Sequence, residues 1–314
     1  MTARYNAGFE RTFREDELTF GAIFPLEGYE GATASMEDQV ERARLAEELG
    51  FDALWFRDVP LLDPSFGDAG QIYDPWVYLS HIAAHTDDVA LATGAIVLPL
   101  RHPLHVAKAA ASVDRLSGGR LVLGVASGDR PAEYDAFGVD RETRGERFRE
   151  HFRVLNTVLE EEFPEVESEF GAMNGEVDLI PKPTADGLPM PVTGHARQDE
   201  DWLAEHADAW MYYTQDLDSQ AEVVDRWRDL TAEHAPGEFK PFGQATYVDL
   251  TEDPTTPPSE IHQGFRTGRE WLVDYIERLE DIGVNHLLFN LKYSERPVDE
   301  VLRELGNEVV PQFR

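Results

Sequence analysis

Cysteine is missing from all 314 residues, which excludes disulfide bonds, thiolate metal sites and a cysteine nucleophile. Lysine is scarce: only Lys108, Lys182, Lys240 and Lys292 occur, and arginine supplies the rest of 28 basic residues against 61 acidic ones. The formal net charge is -33. A field this negative repels nucleic-acid phosphates and anionic membranes, so neither is expected as a partner. Molar salt screens charges within about 3 Å, so an acidic, lysine-poor surface points to a halophile, with an acidic mesophile protein as the alternative. Nowhere do the roughly 18 apolar residues of a membrane span run together. The opening Met1-Thr2-Ala3-Arg4-Tyr5 lacks the apolar stretch of a signal peptide, and a cytoplasmic protein is expected. Also missing are a Gly-x-Gly-x-x-Gly after the first strand-like run and a Gly-x-Ser-x-Gly elbow, which argues against a dinucleotide fold and a serine hydrolase.

What is present is an alternation of apolar runs and amphipathic stretches from end to end. The predicted strands are 18–24, 53–56, 89–98, 121–126, 191–193, 207–212, 242–250 and 286–291. Helices fall between them. Ser35 with Asp38 suggests a capping box, Asp74-Pro75 and Pro103 suggest helix starts, and a helix is predicted from Arg144 to Glu160. The stretch 163–188, rich in Gly, Pro and acidic residues, reads as an excursion, and 251–268, with Pro254, Pro257 and Pro258, as a mobile lid. Eight βα units over residues 1–314 predict one domain, a (β/α)8 TIM barrel with insertions after strands 4 and 7.

Such a barrel builds its site from the loops after its strands. Thr193-Gly194-His195-Ala196-Arg197-Gln198 joins a short strand to a helix, and free amides with a Gly and an Arg make an anion site; a tight turn with a surface Arg is the alternative. Thr93-Gly94-Ala95 and Ala126-Ser127-Gly128-Asp129 leave room for a flat ligand, or merely relieve crowding in the barrel. Arg57, Asp58, His102 and Arg266 are candidate polar groups at the mouth. His102 leads as acid or base because imidazole titrates near neutrality; the alternative is a helix-opening hydrogen bond before Pro103. His81 with His85 and His102 with His105 stand at helical spacing, but no carboxylate cluster completes a shell, and no metal is expected.

The motifs Phe51-Asp52-Ala53-Leu54-Trp55-Phe56-Arg57-Asp58, Arg101-His102-Pro103, Ala107-Lys108 and the run from Asp114 to Gly128 resemble the signatures of luciferase-like monooxygenases. The similarity continues through Glu133-Tyr134, Phe137-Gly138, Arg144 and residues 194–208, and the segment from Gly264 to Arg269 is similar to a later motif of the luciferase-type oxidoreductases. The resemblance implies a barrel that binds FMN or, in some branches, the deazaflavin coenzyme F-420. The phosphate would lie on Gly194, His195, Ala196, Arg197 and Gln198, and the ring near Gly94, Ala95, Ser127 and Gly128, with a non-proline cis peptide near Gly94-Ala95. Arg57, Asp58 and His102 would be catalytic, and Arg266 and Arg269 would meet substrate or form the lid. Val59 follows Asp58 where the deazaflavin sugar dehydrogenases carry a histidine, which favours FMN. The expected activity is oxidation of a small organic substrate by reduced FMN and oxygen, with a possible flavin reductase partner and a homo-oligomeric state. Deazaflavin hydride transfer and a non-catalytic flavin-binding barrel are the alternatives.

Overall fold

The computed structural model describes residues 4–66 and 69–314, so Met1-Thr2-Ala3 of the opening lies outside the described residues. In chain order the strands are β1 (Thr19–Ile23), β2 (Ala53–Phe56), β3 (Ala90–Thr93), β4 (Ile96–Val97), β5 (Leu121–Val122), β6 (Val125–Ala126), β7 (Glu165–Ser168) and β8 (Gly171–Asn174). They continue with β9 (Val192–Thr193), β10 (Trp210–Tyr213), β11 (Phe242–Leu250), β12 (Ser259–Ile261), β13 (Gly264–Thr267) and β14 (His286–Asn290). The helices are α1 (Ala7–Thr12), α2 (Gln39–Glu48), α3 (Pro75–Ala83), α4 (Pro103–Leu116), α5 (Pro131–Phe137), α6 (Arg144–Glu160), α7 (Glu200–His206), α8 (Leu217–His234), α9 (Arg269–Ile282) and α10 (Val298–Glu304).

All pairings around the ring are parallel. β3 and β4 are two halves of the third barrel strand and β5 and β6 two halves of the fourth; β3 pairs with β5 and β4 with β6. From β6 the ring runs through β9, β10, β11, β14, β1 and β2 back to β3, and so closes. The TIM barrel predicted from the alternation is the fold observed, with β7–β8 and β12–β13 as its excursions. The cis peptide Gly94-Ala95 separates β3 from β4.

The pleat sorts side chains between two cores. On β2, Leu54 and Phe56 face out and pack under the helices, whereas Ala53 and Trp55 face into the barrel with Ala90, Ala92, Val122, Met211 and Leu288. These interior residues are largely small, and Phe9 and Phe13 of α1 and its C-cap complete the packing. That helix is six residues long, capped by the Asn6 side chain accepting from the Phe9 amide at 3.0 Å. It is too short to show a helical period in sequence. Between α1 and the mouth lies fully buried His286, whose pKa desolvation lowers to about 3, so it is neutral at ordinary pH. Its Nε2 accepts from Trp55 Nε1 at 3.0 Å and its Nδ1 lies 2.7 Å from Thr19 Oγ1, which fixes the Trp55 indole.

Three local expectations are corrected. Asp38 is the N-cap of α2 but makes no capping bond, at φ 55, because Ser35 Oγ is turned to Glu27 Oε2 at 2.8 Å. The sixth barrel strand starts at Trp210 rather than Ala207, since the Ala207 amide still closes α7 on Leu203 O at 2.9 Å. The segment 251–268 is irregular only in its first half, the second half forming β12 and β13. β13 lies along the nine-residue β11, with Tyr247 opposite Gly264 and Leu250 opposite Thr267, and β12 folds back on it. Gly264 permits this approach, because a Cβ there would stand 1.8 Å from the Tyr247 carbonyl oxygen. Among the described residues no helix is long and apolar enough to cross a membrane.

Candidate active site

The C-terminal ends of the barrel strands enclose a cavity of about 530 Å³, within the size range of cofactor sites. Its apolar floor comes from the inward positions of the strands: Ile23, Trp55, Met211 and Leu288. Of the residues expected at the mouth, Arg57, Asp58, Gly94, Ala95, Ser127, Gly128, Gly194, His195, Ala196 and Arg197 line it. Gln198, His102, Arg266 and Arg269 do not.

One side of the cavity is arranged for an anion. Gly194, Ala196 and Arg197 all have left-handed backbone, at φ 60, 46 and 64. The Gly194 amide and carbonyl are fixed to Met211 O at 2.8 Å and Trp210 Nε1 at 2.7 Å. Left-handed turns of this kind can present successive N–H groups to an oxyanion. The expected helix amides are not what faces the anion: α7 has only seven residues, Asp199 caps it by accepting from Trp202 N at 2.8 Å, and Glu200 and Asp201 follow. That carboxylate cluster favours the helix and would repel a phosphate there.

The cationic groups come from elsewhere. Arg141 and Arg144, at the entry to α6, line the cavity beside Arg197. Their Nε atoms are buried without a hydrogen-bond partner among the described residues, as is Thr193 Oγ1. Buried donors are normally satisfied, and Arg141, Arg144 and Thr193 all line this cavity, so the side suits a ligand bearing several acceptor oxygens. Close packing joins α6 to the turn: a Cβ on Gly145 would stand 3.0 Å from Arg197 Cβ. Gln198 performs this joining rather than binding, its amide donating to Gly145 O at 2.9 Å and its oxygen accepting from Arg149 Nε at 2.9 Å. A phosphate fits this donor set by charge and by count.

Asp58 lines the cavity but its carboxylate is occupied. It accepts from Arg101 Nε at 2.8 Å, Arg101 Nη2 at 2.6 Å and the Val97 amide at 3.1 Å. It therefore positions the third strand beyond the bulge and is not poised for proton transfer. His102 is displaced altogether. It caps α4, its Nδ1 accepting from Leu104 N at 3.2 Å, while Nε2 lies 3.2 Å from Phe170 O. It lines a separate cavity of about 170 Å³ formed with α6 and the β7–β8 hairpin. His102→Ala is expected to cost about 1 kcal/mol of stability through the lost cap and to leave FMN affinity unchanged. Loss of FMN binding in an otherwise folded variant, seen in a fluorescence titration, would return it to the site.

Arg266 is clamped by Asp249 at 2.8 Å and by Glu295, and Arg269 by Glu304 at 3.2 Å, so both fasten outer elements rather than face the cavity. The strand-seven excursion instead contributes His262 and Gln263 at the hairpin tip. Tyr213 also lines the cavity; burial raises its pKa, Asp129 adding to the effect and Arg57 opposing it, so its phenol is a protonated donor at neutral pH. Among the described residues no group of three or more His, Asp or Glu side chains is placed to hold a metal ion.

The sequence profile of the luciferase-like monooxygenases matches residues 18–256. The chain belongs to that family. Within curated proteins it is 26% identical over 196 residues to the alkanal monooxygenase alpha chain of Photorhabdus luminescens, covering 61% of this chain and 52% of that one. It is 30% identical over 182 residues to 4-hydroxyprotoasukamycin monooxygenase of Streptomyces nodosus subsp. asukaensis, covering 57% and 47%. The match thus spans about half the length of these relatives. Among solved structures, an F420-dependent secondary alcohol dehydrogenase in complex with an F420-acetone adduct superposes with TM-score 0.78 at 18% identity, covering 95% of this chain and 99% of that one. The monooxygenase RslO1 from Streptomyces bottropensis gives 0.78 at 20% identity, covering 95% and 100%. At these identities the structures share the fold. Family members of this kind are oxidoreductases; the curated relatives named above are monooxygenases, and the secondary alcohol dehydrogenase is F420-dependent.

Proposed function

We propose that this chain is an FMN-dependent monooxygenase of a small organic substrate. The observation that carries the reading is a single cavity with an anion-binding side, Gly194 to Arg197 with Arg141 and Arg144, adjoining an apolar floor beside the Gly94-Ala95 bulge. Phosphate and flat ring are the two ends of FMN, and the cavity offers each its chemistry. When bound and reduced, FMN would supply the two electrons that let one oxygen atom enter the substrate while the other leaves as water. The protein's own residues bind the phosphate, keep water from the floor, and offer the protonated Tyr213 as a donor at the rim. Val59, which lines the cavity, leaves no histidine beside Asp58, and the monooxygenase names of the curated relatives support an oxygen-using reading.

With this reading go a halophilic setting, a cytoplasmic location, a homo-oligomer and a separate flavin reductase. The test is binding of FMN and of coenzyme F-420 in multimolar potassium chloride, followed by oxygen uptake of the reduced complex. Tighter FMN binding with oxygen consumption supports the proposal. Tight F-420 binding without FMN affinity would replace it with hydride transfer, and FMN binding without oxygen uptake or substrate turnover would leave a flavin-binding barrel.

A further inference from the structure

Parallel barrels usually fill their interior with layers of branched side chains. Here the inward positions around and below the cavity floor on β1, β2 and β3 are Gly21, Ala53, Ala90 and Ala92. Trp55 occupies the space they leave. It is 2% exposed, lines the cavity, and belongs at the same time to the interior cluster completed by Phe9 and Phe13. One indole thus separates the open mouth from a barrel centre built of small residues.

That indole is held at three edges. A Cβ on Gly21 would stand 2.7 Å from His286 Nε2 and 3.0 Å from Trp55 Cδ1, so a side chain there would displace the pair; one on Gly94 would stand 3.1 Å from Trp55 Cε3. At the third edge Trp55 Nε1 donates to His286 Nε2 at 3.0 Å. An indole N–H can only donate, so Nε2 supplies the lone pair and neutral His286 carries its proton on Nδ1, which donates to Thr19 Oγ1 at 2.7 Å. The Thr19 hydroxyl donates in turn to the carbonyl of Thr12, the last residue of α1. Every bond in this row points the same way, from the floor to the helix that plugs the barrel. His286 itself is fully buried beneath the floor.

We propose that Trp55 sets the depth of the site and that His286 positions it, so that the apolar part of the substrate ends on the indole and a linear chain is not admitted into the barrel centre. The proposal rests on reading this cavity as the substrate site, and narrows the substrate to one with a compact hydrocarbon portion. An indole free to turn would open the cavity onto the alanine-lined centre. The directed bond to His286 withholds that space.

The test is calorimetric titration with the linear alcohols from butanol to decanol in concentrated potassium chloride, with FMN bound and again without it. In the parent, affinity should rise roughly fourfold per buried methylene while the chain covers the floor, and level off before decanol. Trp55→Ala should move the levelling to longer chains; Trp55→Phe, a milder change if the alanine variant does not fold, should move it less far in the same direction. His286→Leu removes the acceptor but keeps Trp55, and should also lengthen the limit. His286→Gln, whose amide oxygen can accept from the indole, should restore it. The Trp55 indole resonance of nitrogen-labelled protein, identified by its loss in Trp55→Phe, should shift in His286→Leu and return towards the parent position in His286→Gln. An unchanged limit in the Trp55 variants, affinity still climbing at decanol in the parent, or no alcohol binding to parent and Trp55→Ala alike would overturn the proposal. The parent's limit persisting in His286→Leu would overturn the role of His286. Failure of FMN to bind would refute the cofactor reading alone, since the chain-length limit is also read on the cofactor-free protein.

Discussion

Arg144→Ala is expected to weaken FMN roughly 10- to 100-fold and to leave riboflavin affinity almost unchanged. Arg144 is buried, with an Nε that finds no partner among the described residues, and it lines the cavity beside the left-handed turn. A hydrogen bond to a charged group contributes about 1.5–3 kcal/mol when such a donor is lost, which converts to that range. Riboflavin lacks the phosphate and has nothing to lose. Gly194→Val should act in the same direction for a different reason. Space is adequate, since a Cβ would stand 3.5 Å from the Tyr213 ring, but a branched residue at φ 60 is strained by about 1–2 kcal/mol and would open the turn. Fluorescence titration of both ligands against both variants checks this. An equal loss for FMN and riboflavin would place the phosphate elsewhere.

Asp58→Ala is expected to be the most destabilising substitution at the mouth, at ~3 kcal/mol, because it leaves partly buried Arg101 with only the more exposed Asp74 carboxylate, 3.5 Å away. The Asp58 side chain is 1% exposed and that of Arg101 22%, so water relieves some of the cost. The Val97 amide loses its acceptor too, and since Val97 follows the Gly94-Ala95 bulge, FMN binding should fall with stability. Asp58→Asn keeps an acceptor and should lose less. Chemical denaturation at constant salt measures both; a midpoint equal to that of the parent would show that the fork to Arg101 contributes nothing.

The barrel was legible because its signals are local. Pro103 and Asp74-Pro75 mark helix starts that the structure reproduces at α4 and α3, and β2, β11 and α6 have the boundaries expected from their apolar patterns. The break between β3 and β4 falls at Gly94-Ala95, where the resemblance implied a cis peptide, whereas the break between β5 and β6 at Leu123-Gly124 was not expected, because 121–126 reads as one apolar run. β13 was hidden by its neighbours: three prolines suggested an irregular loop, whereas Gly264-Phe265-Arg266-Thr267 pairs with β11 once Gly264 lets the backbones meet.

The site divides in the same way. Residues at strand ends, among them Arg57, Gly94, Ser127 and Gly194, could be placed from topology alone, because a closed barrel sends those ends to one mouth. Arg141 and Arg144 could not, since two arginines three apart at a helix entry read as solvated charge. Only the packing of Gly145 on Arg197 brings them to the anion side. His102 misled for a converse reason. It follows a strand end, but its imidazole turns back to cap α4, away from the mouth.

The central claim is that the phosphate of a bound flavin is held by Arg141, Arg144 and the 194–197 turn. Its most direct test is the ratio of FMN to riboflavin affinity in the unaltered protein, measured by calorimetry in concentrated potassium chloride. The expected result is FMN binding tighter by roughly 100-fold or more, since Arg144, which is buried, and Arg141, which is half-buried, would each contribute about 1.5–3 kcal/mol to a charged acceptor. Equal affinities, or riboflavin bound more tightly than FMN, would contradict it.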